Sequence, residues 1–119
     1  MTPAQFRHLA LNLPGTMGHP DFRVREKIFA TLGYPDCDWG MAKLTPEQQP
    51  QFVERDSLAF PPVKEIWGRR GCTSIRLKAA SPGQVKAALD AAWCNVAPKD
   101  LVQKSDIVAH CPLSKSPLL

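Results

Sequence analysis

The chain has 119 residues, of which 44% are hydrophobic and 22% are charged, and its formal net charge is +4. This composition is ordinary for one globular domain with a modest core. No stretch approaches the roughly 18 consecutive apolar residues of a membrane span. Thr2-Pro3 opens a polar helix where a signal peptide would carry a charged and then an apolar segment. We therefore expect a cytoplasmic protein that does not contact a membrane.

Cysteine spacing favours neither a metal site nor a disulfide framework. Cys37, Cys72, Cys94 and Cys111 form no C-x-x-C pair, whereas a zinc site would need ligands paired at short spacing. The adjacent pair His110-Cys111 lies in a predicted tail. We expect free, mostly buried thiols, no metal ion and no cofactor.

Three helix starts share the pattern Ser/Thr-Pro-x-Gln, beginning at Thr2, Thr45 and Ser81. In this pattern the hydroxyl caps a first-turn amide, the glutamine returns to the cap amide, and proline starts the helix without losing a hydrogen bond. The apolar spacing after each start predicts helices over residues 3–13, 46–54 and 82–96. A further short helical turn is predicted over residues 98–102.

Alternating apolar residues predict strands over residues 19–24, 27–32, 39–44, 63–67 and 73–77. The second of these is apolar on both faces, which favours a central position. The element order is therefore α-β-β-β-α-β-β-α. Because the connections are short, neighbouring strands are expected to be antiparallel. We predict an α+β, two-layer domain over residues 1–106, with the helices on one face of the sheet, and a poorly ordered tail over residues 107–119.

A basic stretch, residues 64–78, is the strongest functional lead. It reads KEIWGRRGCTSIRLK and holds five basic residues against one acid, a local balance that equals the net charge of the whole chain. We predict a hairpin here with Gly68-Arg69-Arg70-Gly71 at its tip. Arginines at such a tip could contact phosphates without reading bases. The candidate nucleic-acid-binding residues, on this tip and on the solvent-facing side of the sheet, are Arg23, Arg69, Arg70, Arg76 and Lys78.

Several blocks of the chain resemble one known family. They are Leu13-Pro14-Gly15, residues 19–24 (HPDFRV), residues 27–32 (KIFATL), residues 43–47 (KLTPE), residues 67–71 (WGRRG), and Ala92-Trp93 followed by residues 97–99 (APK). In this order they resemble the MmcQ/YjbR-like family of small bacterial proteins. The resemblance implies a compact CyaY-like or secretion-chaperone-like α+β fold. It also implies DNA binding, through likeness to a double-wing transcription-factor domain, and it supplies no catalytic residues.

The chain departs from the family pattern at two places. Arg25-Glu26-Lys27 occupies a turn where the family usually has Gly-Lys or a similar pair. Cys72 follows the Gly-Arg-Arg-Gly turn where the family often has tryptophan. An aromatic platform at that position is therefore not expected here.

Other readings of the same residues remain open. The Gly68–Gly71 segment matches the GXXG loop of KH domains, but that loop joins two helices. Trp39 and Trp67 are either packing residues or base-stacking groups, whereas Trp93 lies on a core stripe. His19 and Asp21 share a strand face, where a hydrogen bond is more common than a catalytic dyad.

The motifs of common enzyme classes are missing from the sequence, so we expect a non-enzymatic protein. The first hypothesis is a nucleic-acid-binding or regulatory module whose binding is weak and salt-dependent, because the net charge is modest. The second is a protein-interaction or chaperone-like module. The third is a small-ligand binder with a pocket near His19 and the basic stretch.

Overall fold

The computed structural model describes residues 1–18, 20–33 and 36–98. Within these ranges an N-terminal helix precedes a four-strand meander, two short helices, a fifth strand and a long C-terminal helix. The elements are α1 (Pro3–Leu11), β1 (Thr16–Met17), β2 (Asp21–Val24), β3 (Lys27–Leu32), β4 (Trp39–Lys43), α2 (Gln49–Arg55), α3 (Glu65–Arg69), β5 (Cys72–Arg76) and α4 (Pro82–Val96). The α+β class predicted from the sequence is confirmed, although the element order differs.

The described strands form one antiparallel sheet in the order β1-β2-β3-β4-β5. Helices α1 and α4 pack together on one side of it, mainly against β3. The core between the two layers includes Phe6, Phe22, Phe29, Leu89 and Trp93, each at most 1% exposed. The central position expected for β3 is confirmed.

Two of the predicted capping boxes are complete. Thr2 and Gln5 exchange hydrogen bonds of 2.8 and 3.2 Å at the start of α1, and Ser81 and Gln84 do the same at 2.9 and 3.3 Å at the start of α4. The third predicted pair also forms, since Thr45 and Gln48 are joined by bonds of 2.9 and 3.1 Å. There the chain first makes a turn, however, and α2 begins only at Gln49 rather than at residue 46.

A β-bulge explains why β3 is apolar on both predicted faces. Phe22 pairs with Ala30, but the next residue, Arg23, pairs with Ile28, so Phe29 has no partner opposite it. A bulge turns two consecutive side chains towards the same side, and Phe29 and Ala30 are both fully buried. Ile28 then lies beside Arg23 on the other side of the sheet.

The predicted strand over residues 63–67 is wrong. Residues 65–69 form the helix α3, and the free edge of β5 is covered by the preceding segment instead. The amides of Arg76, Ser74 and Val63 bond across this edge, to Ala59 O (2.8 Å), Pro61 O (2.8 Å) and Cys72 O (3.0 Å) respectively. Because Pro61 and Pro62 have no N–H to donate, the pairing stays irregular.

The short strand β1 is a second difference from the predicted order. Thr16 and Met17 pair with Val24 and Arg23, and they lie between Gly15 and Gly18, whose φ angles are +70° and +104°. A strand of two residues carries too little alternation to be recognised from a pattern. Its position at the edge of the sheet follows from the glycine turns that flank it.

Some sequence predictions concern residues outside the described ranges. They are His19, all but the first residue of the turn predicted over residues 98–102, and the tail over residues 107–119. In the described part of the chain, Cys37 and Cys72 are free thiols, while Cys94 is disulfide-bonded, so the prediction of free thiols holds for the first two only. None of the described helices is both long enough and apolar enough to cross a membrane.

Candidate functional site

The side of the sheet opposite α1 and α4, here called the outer face, carries two of the candidate residues, Arg23 and Arg76. Cross-strand pairing defines its side chains, because residues paired directly opposite point to the same side. One row runs Asp21–Thr31–Met41–Ser74. Neighbouring positions on this face are Arg23, Ile28, Trp39, Lys43 and Arg76.

A groove of about 380 Å³ lies on the outer face. Its walls are mainly apolar, and its polar groups come from β2, β3, β4 and the start of β5. It is lined by Asp21, Ile28, Thr31, Met41, Lys43, Val63, Trp67 and Cys72. This volume is at the small end of the range for ligand-binding clefts, so the groove suits a group of modest size.

Helix α3 forms the aromatic wall of the groove. Gly68 packs so closely on the segment before the helix that a Cβ there would lie 1.7 Å from Val63 O. This close approach places α3 beside the segment that covers the edge of β5, and Trp67 on the helix lines the groove. Trp67 and its neighbour Ile66 are each 53% exposed, so half of this indole is accessible to a ligand.

Two guanidinium–indole contacts occur among the described residues, both at the outer face. Arg70 Cζ lies 5.7 Å from the ring centroid of Trp67, and Arg76 Cζ lies 5.8 Å from that of Trp39. Trp39 and Arg76 are also direct cross-strand partners. An arginine held on an aromatic ring keeps its N–H groups at its edge free for an anion. Both arginines are therefore positioned to donate hydrogen bonds to an anion.

Lys43 and Arg70 give the groove a positive potential at Cys72. Lys43 is the cross-strand partner of Cys72. Burial raises the pKa of the Cys72 thiol above its ordinary value, while the nearby charges of Lys43 and Arg70 act in the opposite direction. Burial is the larger effect, so the thiol stays protonated near neutral pH and forms a small apolar part of the groove wall.

The structure separates the five predicted site residues into three groups. Arg23 and Arg76 lie on the outer face, but on β2 and β5, which are three strand spacings apart, and they are also offset along the strands. Arg69 and Arg70 end α3 rather than forming a hairpin tip. Lys78, which follows β5, lies 3.5 Å from Asp38 in an ion pair. The predicted hairpin tip is therefore wrong, because the Gly-Arg-Arg-Gly segment is the end of a helix and the entry to β5.

None of the residues that line the groove belongs to the predicted site, and two of them, Lys43 and Trp67, carry the groups best suited to binding. Lys43 shares a strand face with Trp39 and Met41, and this i, i+2, i+4 spacing was visible in the sequence. Trp67 was considered for stacking, but its place in the groove depends on α3 and on the packing of Gly68. Alternation of side chains along a strand places Arg76 and Lys78 on the face opposite Ile75 and Leu77. The same rule, applied to β4, places Lys43 on the outer face. No comparable sequence pattern predicts the position of Trp67.

The acidic residues near the groove make structural contacts. Thr31 Oγ1 donates a hydrogen bond of 3.0 Å to Asp21 Oδ1, so this carboxylate is anchored across β2 and β3. In the turn before β4, the Asp38 amide donates to Asp36 Oδ1 at 2.9 Å, a hydrogen bond that is typical of aspartate in turns. Potential ligand atoms of Asp36, Cys37 and Asp38 lie within 4.8 Å of one another, and none of these three residues lines the groove.

Comparisons with known proteins do not assign the chain to a family. No family model matches the sequence, and no curated protein and no solved structure is significantly similar to it. What can be stated is that the protein is a small α+β domain whose five-stranded antiparallel sheet, within the described residues, packs two helices on one face and carries a groove on the other.

Proposed function

We propose that the protein is a non-enzymatic, nucleic-acid-binding module that holds a phosphate backbone against the outer face of its sheet. The observation that carries the proposal is the pair of guanidinium–indole contacts, Arg70 on Trp67 and Arg76 on Trp39. Each fixes an arginine whose free N–H groups match phosphate oxygens. The resemblance of the sequence blocks to the MmcQ/YjbR-like family, with its double-wing likeness to DNA-binding domains, supports the same proposal.

The charge distribution around the groove also supports phosphate binding. Lys43 lines the groove, Arg23 lies beside Ile28 at its β2 end, and Arg70 lies at its α3 end. One carboxylate, Asp21, also lines the groove and opposes this charge; Thr31 donates a hydrogen bond to it. Lys78 contributes less than expected, because it is paired with Asp38. A backbone following the outer face would meet Arg23, Lys43, Arg70 and Arg76.

The affinity should be modest and strongly dependent on salt. Each phosphate contact releases about one counterion, so the logarithm of the binding constant falls by about 0.7 to 0.9 per contact for each tenfold rise in salt. With three or four contacts, binding near micromolar or weaker is expected at physiological salt. The proposed location is the cytoplasm, where nucleic acids are accessible.

The test is a titration of a fluorescently labelled oligonucleotide across a salt series. Arg70→Gln and Arg76→Gln should each weaken binding and reduce the salt slope by about one. Arg7→Gln is the matched control, because Arg7 is exposed on α1 in the opposite layer. The proposal fails if the protein does not bind at low salt, or if Arg7→Gln lowers affinity as much as the outer-face variants.

A second candidate is a protein-interaction module, favoured by the exposed apolar side chains of α3 and the preceding turn. Ile66 and Trp67 are each 53% exposed and Leu58 is 73% exposed. Large exposed apolar groups of this kind occur at protein interfaces. A concentration-dependent dimer in light scattering, abolished by Ile66→Lys, would favour this candidate. The third hypothesis, a small-ligand binder with a pocket near His19 and the basic stretch, stays a prediction, because His19 lies outside the described residues.

A further inference from the structure

We infer that the groove accepts one unpaired nucleobase, stacked on Trp67, and that the protein therefore prefers single-stranded nucleic acid to duplex. This inference rests on the proposed function, since it names the form of nucleic acid that the outer face binds. It depends on three features of the groove, which are its size, its aromatic wall and its polar floor.

The size and lining of the groove fit a small planar ring. Its volume is about 380 Å³, and Ile28, Met41 and Val63 supply apolar surface around the exposed indole of Trp67. One ring can lie against the indole, because half of that side chain is accessible. A base has two apolar faces and a polar edge, so it can bury its faces here while its edge meets polar groups.

The polar groups of the groove offer both donors and acceptors to the edge of a base. Lys43 can only donate, and the Asp21 carboxylate can only accept. Thr31 already holds one oxygen of Asp21 in place with a bond of 3.0 Å, so the carboxylate is preorganised. The edges of nucleobases carry carbonyl oxygens, ring nitrogens and amino groups, which pair with these two kinds of partner.

A phosphate can be bound at the rim while the base lies inside. Arg70 contacts the same Trp67 ring that forms the wall of the groove, so a base on this ring carries its own phosphate close to the guanidinium. Arg76 and Trp39 lie further along the outer face, where the next phosphates would pass. The two proposed contacts, stacking and ion pairing, are thus made by one nucleotide.

Pairing excludes this mode of binding for a duplex. Inside a double helix both faces of each base are covered by its neighbours, so a base could reach Trp67 only after it is unstacked and unpaired. The free energy of that step is comparable to the gain from stacking one base on an aromatic side chain. A single strand therefore binds with the full free energy of stacking. A duplex gains little from stacking and binds through its phosphates alone.

The experiment compares three labelled probes with the wild-type protein at one low salt concentration. They are an oligodeoxythymidylate, a strand of equal length made only of abasic sugar-phosphate units, and a mixed-sequence duplex. We expect the base-bearing strand to bind about tenfold more tightly than the other two, as the loss of one stacked base predicts. Because all three probes carry phosphates, the comparison isolates the contribution of the base.

A pair of variants locates the base. Trp67→Ala should bind the base-bearing and abasic strands with equal affinity, whereas Trp39→Ala, which changes an indole outside the groove, should keep their difference. Circular dichroism checks that both variants are folded, and the wild-type comparison decides the question without them if either is not.

The outcomes separate this inference from the proposed function. Equal affinity of the wild-type protein for the base-bearing and abasic strands, or equal or tighter binding of the duplex, would overturn the inference while leaving phosphate binding intact. Retention of the full difference in folded Trp67→Ala would overturn it as well. Binding to none of the three probes would overturn both the inference and the proposed function.

Discussion

The ring of Phe6 on α1 lies directly against the backbone of Gly40 on β4, so close that a Cβ on Gly40 would be 2.8 Å from Phe6 Cε2. Gly40 pairs with Leu32 on one side and Ile75 on the other. Phe6 is fully buried. The hydrogen of Gly40 is therefore what lets α1 approach the sheet at this point.

Gly40→Ala should destabilise the protein by about 1–3 kcal/mol, because the added methyl group forces the buried Phe6 ring or the strand to move. The measurement is the free energy of unfolding from urea titration. Gly83→Ala is the control, since nothing lies within 4 Å of its added Cβ. Because Gly83 is helical, this change should stabilise by up to about 1 kcal/mol. Equal effects of the two substitutions would contradict the packing argument.

Local hydrogen-bond patterns could be predicted from the sequence because all their parts are close along the chain. The Thr2–Gln5, Thr45–Gln48 and Ser81–Gln84 pairs form as expected. The faces of β5 were predicted for the same reason, since alternation alone separates buried Ile75 from exposed Arg76.

Helix α3 could not be predicted in this way. It has five residues, too few to show helical spacing, and its apolar pair Ile66-Trp67 fits a strand equally well. Its conformation depends on distant contacts: residues 59–63 occupy the edge of β5, and Gly68 packs on Val63 O. Since α3 builds one wall of the groove, the groove was unpredictable for the same reason. The role of Trp67 in the groove therefore depends on the fold and not on a local sequence pattern.

The side-chain amides of Gln48 and Asn95 join the turn before α2 to the end of α4. Asn95 Nδ2 donates to Gln48 Oε1 at 2.8 Å, and Gln48 Nε2 donates to Asn95 Oδ1 at 3.2 Å. Asn95 also donates to Lys43 O at 3.1 Å. Gln48 is only 4% exposed, so water cannot readily replace these bonds.

Asn95→Ala should therefore lower the free energy of unfolding by about 1–3 kcal/mol, because it leaves the buried Gln48 amide and Lys43 O with fewer partners. Denaturant titration measures the loss. The matched control is Asn12→Ala, whose exposed side chain contacts His8 at the surface, and which should change stability by less than about 0.5 kcal/mol. A double-mutant cycle with Gln48→Ala should give a coupling energy of at least about 0.5 kcal/mol; strict additivity would show that the pair is not coupled.

Asp90 on α4 is a buried carboxylate with one partner. It is 3% exposed, its Oδ2 lies 3.0 Å from Lys86 Nζ, and its Oδ1 has no hydrogen-bond partner among the described residues. The two residues border a cleft of about 350 Å³ between α2 and α4. The interaction with Lys86 therefore offsets only part of the free-energy cost of desolvating the carboxylate.

Lys86→Ala should destabilise by about 1–3 kcal/mol, because it leaves Asp90 buried without its partner. Asp90→Ala should be neutral or stabilising by up to about 1 kcal/mol, because it removes the unpaired oxygen and alanine favours the helix. Thermal and urea unfolding of both variants and of the double variant check this order. A larger loss for Asp90→Ala than for Lys86→Ala would show that the carboxylate stabilises the fold in its own right.

Cys72 should make stability fall at high pH. Its folded-state pKa is raised, mainly by burial, with Lys43 and Arg70 opposing the shift. Between the unfolded and the folded pKa the native state therefore binds more protons than the unfolded state, so stability is fully present below the unfolded pKa and is lost as pH rises through the folded one. Urea titrations below and above this window should show a smaller fall for Cys72→Ala than for the wild type. Cys37→Ala, which removes an exposed thiol, is the control and should retain the wild-type fall. An identical fall in Cys72→Ala and the wild type would show that the thiol of Cys72 is not the group responsible.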